Sequence, residues 1–422
     1  MSSTANTKKL RLAIIGGGVG GLTLAVALRG CSNIEVNLYE QAHQITEVGA
    51  GIAIWRRTWE IIKSLGLGKE FAEKLEEEPS ADSKLAFEFR LSDRQNGFTF
   101  EKFFVKGGTL LFHRQDILGI LLNNIPDFCR IHLSPHLMRS TCDILVGADG
   151  VKSVTRQALP TDGLFYSGTN VIRGLIPRDT LAKVYPGHRT LKDPVIYCGK
   201  NQSIVAYPII RGQIINVAAF ISNVENEGRS FDGPVIKHIA TEAVVEAFSG
   251  WEDEVVQLLK SIDQPTRWAL PDFRPMSTYV TRRIALLGDA AHAMLPHLGS
   301  GMGQAIEDGY ILARLFSHAE PQNWLRVLEA YNLVRHPFGN MVKNKSREQG
   351  FYYTLNASGL ENVESKSQEL APEQINVLGK TNENNWSWLE DDADKYLQRA
   401  IKFLKEENLL SEIMDNNTYY PS

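Results

Sequence analysis

The run Gly16-Gly17-Gly18-Val19-Gly20-Gly21 restricts the fold of this chain more than any other stretch. It satisfies GxGxxG between a short apolar segment, RLAII, and a helix-like one, LTLAVALRG. Gly16 permits a tight turn, Gly18 lets main chain approach a pyrophosphate, and Gly21 allows a helix to pack closely on a strand. The helix that follows offers amide donors and the positive end of its dipole. A second apolar segment, IEVNLYE, ends at Glu40, 19 residues after Gly21. An acid there accepts hydrogen bonds from ribose hydroxyls. It suits a free 2′-hydroxyl better than a 2′-phosphate, so FAD or NAD fits the motif better than NADP. The glycine motif alone does not choose between FAD and NAD.

Composition narrows the class without deciding it. The 422 residues suffice for two ordinary domains, or one elaborated α/β fold with a second lobe. Apolar residues make up 43% and charged residues 22%, which supports a large core rather than wholesale disorder. The net charge of -4 gives no reason to expect nucleic acid or an anionic membrane as partner. Cys31, Cys129, Cys142 and Cys198 form no CxxC pair and no cluster with metal-ligand spacing, so free thiols and no metal are expected. The polar start, with only Leu12 to Ile15 as its first apolar run, is too short for a signal-peptide core. No stretch approaches the ~20 apolar residues of a membrane span, and a cytoplasmic protein is the expectation.

Further along, a helix is expected from about Arg56 to Leu65, capped by Gly66 and Gly68. Lys84 to Phe104 alternates as a half-exposed antiparallel sheet would, and Arg114 to Asn123 has a helical pattern. A buried strand, CDILVGAD, starts at Cys142. Four strand-like segments then follow, Val171 to Leu175, Val195 to Tyr197, Ser203 to Ile209 and Gln213 to Ile221. Helical patterns are read at Val235 to Phe248 and Glu252 to Ile262. The chain then returns to a buried strand, RRIALLGD, a long helix from about Gly303 to Phe316, and a mainly helical remainder. A dinucleotide-type core that pauses for a sheet and then resumes implies a substrate lobe inserted into the cofactor domain.

Two more motifs choose the cofactor. Asp149-Gly150-Val151-Lys152-Ser153-Val154-Thr155-Arg156 follows the strand DILVGA. Gly288-Asp289-Ala290-Ala291-His292 ends the strand IALLG, and Gly299-Ser300-Gly301-Met302-Gly303-Gln304 leads into a helix. With these, the chain from Arg11 to about Pro337 resembles the class A flavoprotein monooxygenases, the family of p-hydroxybenzoate and salicylate hydroxylases with its fungal relatives. The resemblance implies an α/β fold: an FAD-binding Rossmann-like domain, an inserted antiparallel-sheet substrate domain and a helical C-terminus. It implies FAD-binding segments at 1–80, 114–164 and 276–345, substrate-sheet segments at 81–113 and 165–275, and a helical region at 346–422.

By the same resemblance, Gly16, Gly18, Gly21 and Glu40 hold the ADP half of FAD. Asp149 lies in the segment shared by the FAD and NAD(P)H sites. Asp289 binds the ribityl chain, and Gly301 and Met302 meet the flavin ring. Gly51 and Ala53 match the position where the chain passes FAD, Arg114 an arginine near the cofactor phosphates, and Pro296 a proline beside the oxygen-reacting edge. Arg173 and Tyr207 fall where fungal phenol-hydroxylating relatives hold their substrate. His292 and His297 are read as structural parts of a turn. The implied reaction uses FAD, NAD(P)H and O₂ to hydroxylate a small phenolic or hydroxybenzoate-type aromatic, with loss of carboxylate in a salicylate-type case. Monomer and homodimer are both compatible with the sequence.

Other readings remain open here: isoprenoid epoxidation, a flavin reductase, or a flavin-binding protein whose catalysis has decayed. The last is favoured by one departure from the family. Where relatives insert a hairpin after FCRIHL, this chain has only SPHLMRSTC before its next strand. A second departure is Trp55-Arg56-Arg57 in place of a common Pro-Asn, read as a solvated basic helix start.

Overall fold

Leu12 and Ile14, fully buried, belong to β1 (Leu10–Ile15), which the glycine loop turns into α1 (Val19–Ala27) and then β2 (Ile34–Glu40). The computed structural model describes residues 9–45, 51–134, 140–318, 323–360, 363 and 370–416, with side chains to residue 406. β3 (Gly51–Ile54) leads to α2 (Arg56–Ser64), which Gly66 closes in the left-handed conformation at φ +79°, and to α3 (Gly68–Ala72). β4 (Ser83–Leu91) and β5 (Phe98–Lys106) form an antiparallel hairpin. β6 (Leu110–His113) comes back to pair with β3, Gly51 opposite His113, and α4 (Arg114–Asn123) starts directly from it. β7 (Cys129–Leu133) and β8 (Ile144–Gly147) then flank β2 and β1. Most of the shortened SPHLMRSTC connection lies outside the described residues.

β9 (Phe165–Pro177), α5 (Arg178–Val184), β10 (Val195–Gly199), β11 (Gln202–Ile209) and β12 (Ile214–Ser222) build the second sheet. It is extended by β13 (Ile236–His238) and, after α6 (Thr241–Ala247) and α7 (Asp253–Lys260), by β14 (Thr266–Asp272). The chain rejoins the first sheet through β15 (Val280–Thr281) and β16 (Ile284–Leu286). It finishes with α8 (Asp289–His292), α9 (Gly301–Phe316), α10 (Trp324–Tyr353), α11 (Pro372–Trp386) and α12 (Ala393–Asn416).

The first sheet runs β15-β16-β8-β1-β2-β7, parallel except at the β15–β16 edge. The second has the order β13-β14-β9-β12-β11-β10-β4-β5 and is antiparallel except where β10 meets β4. The two-residue period of its strands sorts their side chains. Ile215, Val217 and Ala219 of β12 pack with Phe248, Val255 and Leu258 of the α6–α7 cover. Asn216, Ala218, Phe220 and Ser222 therefore face the other way, toward the first sheet and its helices. One expectation is corrected: the Val235–Phe248 segment is not helical throughout. Its β-branched Val-Ile start pairs as an exposed edge strand with β14, Lys237 opposite Arg267, and helix begins only at Thr241.

A charged cluster joins the pieces. Glu307 of α9 accepts from Arg57 Nε at 2.7 Å and Nη2 at 2.8 Å, and also from Arg335 of α10. Arg335 Nε donates to Asp308 Oδ1 at 2.6 Å, while Asp308 Oδ2 accepts from Gly288 N at 2.8 Å and bonds His292 Nε2 at 2.6 Å. Arg57, Arg335, Glu307, Asp308 and His292 are all buried. Arg57 is thus no solvated helix start: its guanidinium lies 4.5 Å over the Phe338 ring.

Removing one partner leaves a buried charge uncompensated, so Arg335→Met is expected to lower the unfolding free energy by about 3–5 kcal/mol in urea titrations. Acid dependence follows from Asp308. Burial alone would raise its carboxyl, but His292 and Arg335 outweigh that and hold it down at about 2. A depressed folded-state value means the stabilisation is complete above the ordinary aspartate range and is lost as pH falls toward 2. Asp308→Asn should therefore be less stable at neutral pH and show a shallower loss on acidification. An acid limb as steep as wild type would refute that assignment.

Candidate active site

The glycine loop is built as its spacing demands. Gly16 has φ +111°, and a Cβ there would sit 2.3 Å from Ala148 O. A Cβ on Gly21 would lie 2.1 Å from Gly16 O, so this position permits contact of helix and strand. Gly18 differs, since a Cβ there would meet nothing within 4 Å. Its environment is open space in front of α1, whose N-terminus has no side-chain cap and no acid in its first turn. Glu40 is held in place by Gly17 N and Ala42 N, each donating to its carboxylate at 2.8 Å. Those two bonds leave lone pairs on both oxygens for a ribose.

The Asp149 carboxylate accepts from Ser153 Oγ at 2.6 Å, Val154 N at 2.8 Å, and both Thr155 N and Oγ1 at 3.0 Å. It shapes its own turn. Arg156 is buried and donates to the carbonyls of Asp289 at 3.3 Å and Ala290 at 3.2 Å. It stacks 4.3 Å over Phe273 and ties the Asp149 turn to the Asp289 turn.

Asp289 is exposed beyond β16, and its carboxylate accepts no hydrogen bond among the described residues. Gly288, at φ +59°, turns the chain there. The turn Pro296–Leu298 is pinned from behind: Trp55 Nε1 donates to Leu298 O at 3.2 Å, and Tyr353 OH to His297 O at 3.2 Å. Gly299 at φ +57° then feeds α9, whose first turn carries Gly301 and Met302 without a side-chain cap or an acid. A Cβ on Gly301 would lie 4.0 Å from Asp289 Oδ1, and one on Gly299 3.5 Å from Ala53 Cβ. Asp289 and Gly301 thus lie side by side, as do Ala53 and the Gly299 turn that feeds α9. An uncapped helix end there stabilises negative charge on whatever ring lies against it.

The opposite wall comes from the second sheet. Gly51 N donates to Asn216 Oδ1 at 3.0 Å, and a Cβ on Gly51 would be 2.9 Å from Tyr207 Cε2. Tyr207 pairs with Asn216 and Arg173 with Ala218, so Arg173 and Tyr207 lie diagonally across small Ala218 on one face. Burial pushes the Tyr207 phenol up, against a smaller opposing effect of Arg173, so the hydroxyl stays a donor. The Arg173 guanidinium lies 5.3 Å over the Trp268 ring and makes no hydrogen bond or ion pair among the described residues. Burial lowers its proton affinity, Tyr207 opposes this, and nearby Arg114 adds repulsion.

Asn216 and Trp268 were missed in the sequence. The signal for Asn216 was one polar residue inside the apolar run IINVAAFI. Trp268 gave none without the pairing of β14 on β9. His292 and His297 are buried. A groove of about 1060 Å³ lies elsewhere, among Arg56, Phe104, Glu101 and Trp386, and contains none of the motif residues.

Open space at Gly18, two uncapped helix ends, a free carboxylate at Asp289 and a half-buried guanidinium lacking an anion together fit a long anionic dinucleotide with a ring at one end. The comparisons agree: residues 136–346 match the family described as an FAD binding domain. Salicylate hydroxylase of Pseudomonas putida is 34% identical over 83% of this chain and 87% of its own. The 6-methylsalicylate 1-monooxygenase of Aspergillus terreus is 31% identical over 78% of this chain and 80% of its own. A solved salicylate hydroxylase substrate complex superposes with a TM-score of 0.77, at 28% identity, over 93% of this chain and 98% of its own. The chain belongs to the FAD-dependent monooxygenases of the FAD-binding-domain family.

Two glycines separate cofactor binding from folding. Gly18→Ala, with free space around its Cβ, should leave the melting temperature of the apoprotein unchanged and weaken FAD at least about tenfold, ~1.4 kcal/mol, in a fluorescence titration. Gly21→Ala should lower the melting temperature of the apoprotein itself. Equal FAD affinity in Gly18→Ala and wild type would remove the pyrophosphate from this loop.

Proposed function

We propose that the chain hydroxylates a salicylate-type aromatic, a phenol bearing a carboxylate, with Arg173 and Tyr207 holding it against the flavin. The observation that carries this is the Arg173 guanidinium, on the same sheet face as Tyr207 and without an anionic partner among the described residues. The guanidinium is half-buried, with its Nε sealed from solvent and unpartnered, so it gains by pairing with a ligand anion. A planar carboxylate matches its fork of donors. The relatives named for salicylate and 6-methylsalicylate are consistent with that class.

FAD, reduced by NAD(P)H, supplies the activation of O₂ and the electrophilic oxygen. The protein's part is placement. Glu40 and the Gly16–Gly21 loop hold the nucleotide half, Asp289 the ribityl hydroxyls, and Gly301 and Met302 present the α9 amides to the ring. Gly51, Ala53, Pro296 and Arg114 lie along the cofactor's path, and Asp149 with Arg156 fixes the turn behind it. Arg173 takes the substrate carboxylate across Ala218, and Tyr207 donates to a substrate oxygen, which orients the ring and favours its electron-rich form.

The test begins with the absorption spectrum of the purified protein, followed by NAD(P)H oxidation with a panel of phenolic acids. A yellow protein whose oxidation of NAD(P)H rises with salicylate or a ring-substituted salicylate, giving a hydroxylated product, is expected. Arg173→Met should raise KM for that substrate about 10- to 100-fold, the worth of a charged hydrogen bond, and Tyr207→Phe by less. A phenol without carboxylate should lose little in Arg173→Met. If both substrates suffer alike, Arg173 does not read the carboxylate.

A further inference from the structure

The last residue of β14 carries a second buried charge. Asp272 and Lys343 of α10 are both buried, and the Lys343 ammonium donates to Asp272 Oδ1 and, at 2.5 Å, to the carbonyl of Ala293. Asp272 Oδ1 also accepts from Phe273 N at 2.7 Å, which anchors the carboxylate to its own strand end. The Phe273 ring meets two cations, the Lys343 ammonium 4.6 Å and the Arg156 guanidinium 4.3 Å from its centroid. Between them, Arg156 and Lys343 hold the carbonyls of Asp289, Ala290 and Ala293. The turn that presents Asp289 is thus fastened to the end of β14.

The same strand backs the other wall. Trp268, also on β14, lies under the Arg173 guanidinium at 5.3 Å. A strand rises about 3.3 Å per residue, so the step from Trp268 to Asp272 is roughly 13 Å of backbone. α10 meets the flavin-side turn at several points: Gly339 beside His292, Ser346 on Leu295 O and Leu298 N, and Tyr353 on His297 O. Among the described α10 residues that bond this turn, Lys343 is the one whose side chain also bonds the substrate sheet. Energy alone does not explain it, since an apolar pair of similar volume is often as stable or more so. Direction does. An ammonium has three donors, and two of them are engaged on Asp272 and Ala293.

We infer that Lys343 is a positioning residue: by tying Asp272 to the Ala293 carbonyl, it sets the spacing between the Arg173–Tyr207 wall and the flavin-side turn. The inference rests on the reading of that wall and that turn proposed above. Lys343 stands behind both, so its loss leaves the groups that hold either ligand in the chain. What changes is where the aromatic ring stands against the flavin. A shift of about 1 Å can cost on the order of 100-fold in a reaction that depends on such alignment. Electrons that do not serve the ring then go to O₂ alone: NAD(P)H gives up a hydride, solvent a proton, and H₂O₂ forms.

The test compares wild type, Lys343→Met and the double variant Lys343→Met/Asp272→Asn, all loaded with FAD. The single variant leaves a buried carboxylate short of its cation and should melt at a lower temperature, while the double variant removes both charges and should recover most of that loss. Salicylate is titrated first without NAD(P)H, and its perturbation of the flavin absorption spectrum is read. Both variants should bind salicylate within about threefold of wild type, lose most of the spectral change, and in turnover form about 10- to 100-fold less hydroxylated product, with H₂O₂ in its place. Crystal structures of the FAD-loaded wild type and double variant read the spacing without any substrate. The distance from the Ala293 carbonyl to the Trp268 ring should change by about 1 Å or more. A double variant with wild-type spacing overturns the inference, whatever its turnover. So does one restored in stability, spectral change and product yield together, since Lys343 then serves folding alone. A fall in salicylate affinity as large as the fall in product overturns it as well. If salicylate leaves the wild-type flavin spectrum unchanged, the substrate reading fails, and the spacing in the crystals still decides the role of Lys343.

Discussion

The cluster of Arg57, Arg335, Glu307 and Asp308 is the interaction on which the cofactor side of the molecule depends. It does more than join three helices. Asp308 accepts from the backbone of Gly288 and bonds His292, so the turn that presents Asp289 is fixed by the same carboxylate that Arg335 balances. Glu307, one residue earlier on α9, draws in Arg57 from the segment just after β3. The distance between the Asp289 turn and the first turn of α9 is thereby set by charges rather than by fluid packing. Buried ion pairs are a poor source of net stability compared with apolar replacements. Their retention here is consistent with a need for fixed geometry where two loops must face one ring.

A second layer of ties transmits that geometry across the cleft. Arg156 grips the carbonyls of Asp289 and Ala290, so the Asp149 turn moves with the Asp289 turn. Trp55 holds the Leu298 carbonyl, and Ser346 meets both Leu295 O and Leu298 N. On the other wall, Asn216 binds the amide of Gly51 and so sets β3 against the substrate sheet. Each tie ends on backbone, and each leaves the cleft-facing groups unused. Asp289, Arg173 and the first amides of α9 thus remain available to ligands because their neighbours are satisfied elsewhere.

The sequence made the glycine loop, Glu40 and the alternation of strands and helices legible, since these follow from local geometry and periodicity. Gly16 and Gly21 are forced by backbone approach, and the environments match. Other features depended on distant partners. Arg57 reads as a solvated helix start until α9 brings Glu307 to it, 250 residues away. The bonds from Ser153 and Thr155 that hold the Asp149 carboxylate depend on a turn that its motif alone does not specify. Val235 to Ile239 reads as helix because periodicity cannot see the free edge of β14 that it pairs with. Trp268 carries no local mark, as its meaning lies in stacking on an arginine 95 positions earlier, which sequence spacing alone does not reveal.

The face that carries Arg173 and Tyr207 shows how distant partnerships shape the proposed substrate wall. On three neighbouring strands the same face carries Arg173, Ala218 and Tyr207, a cation and a hydroxyl flanking the smallest side chain of the set. A larger residue than Ala218 would close the space between the two polar groups, while a carboxylate nearby would neutralise Arg173 before a ligand arrived. The sheet instead leaves the guanidinium backed by the face of Trp268 and repelled by Arg114. Stacking holds a guanidinium in place without using its donors. An arginine oriented in this way has its hydrogen bonds still to make, and that is the ground on which we propose it pairs with a substrate carboxylate.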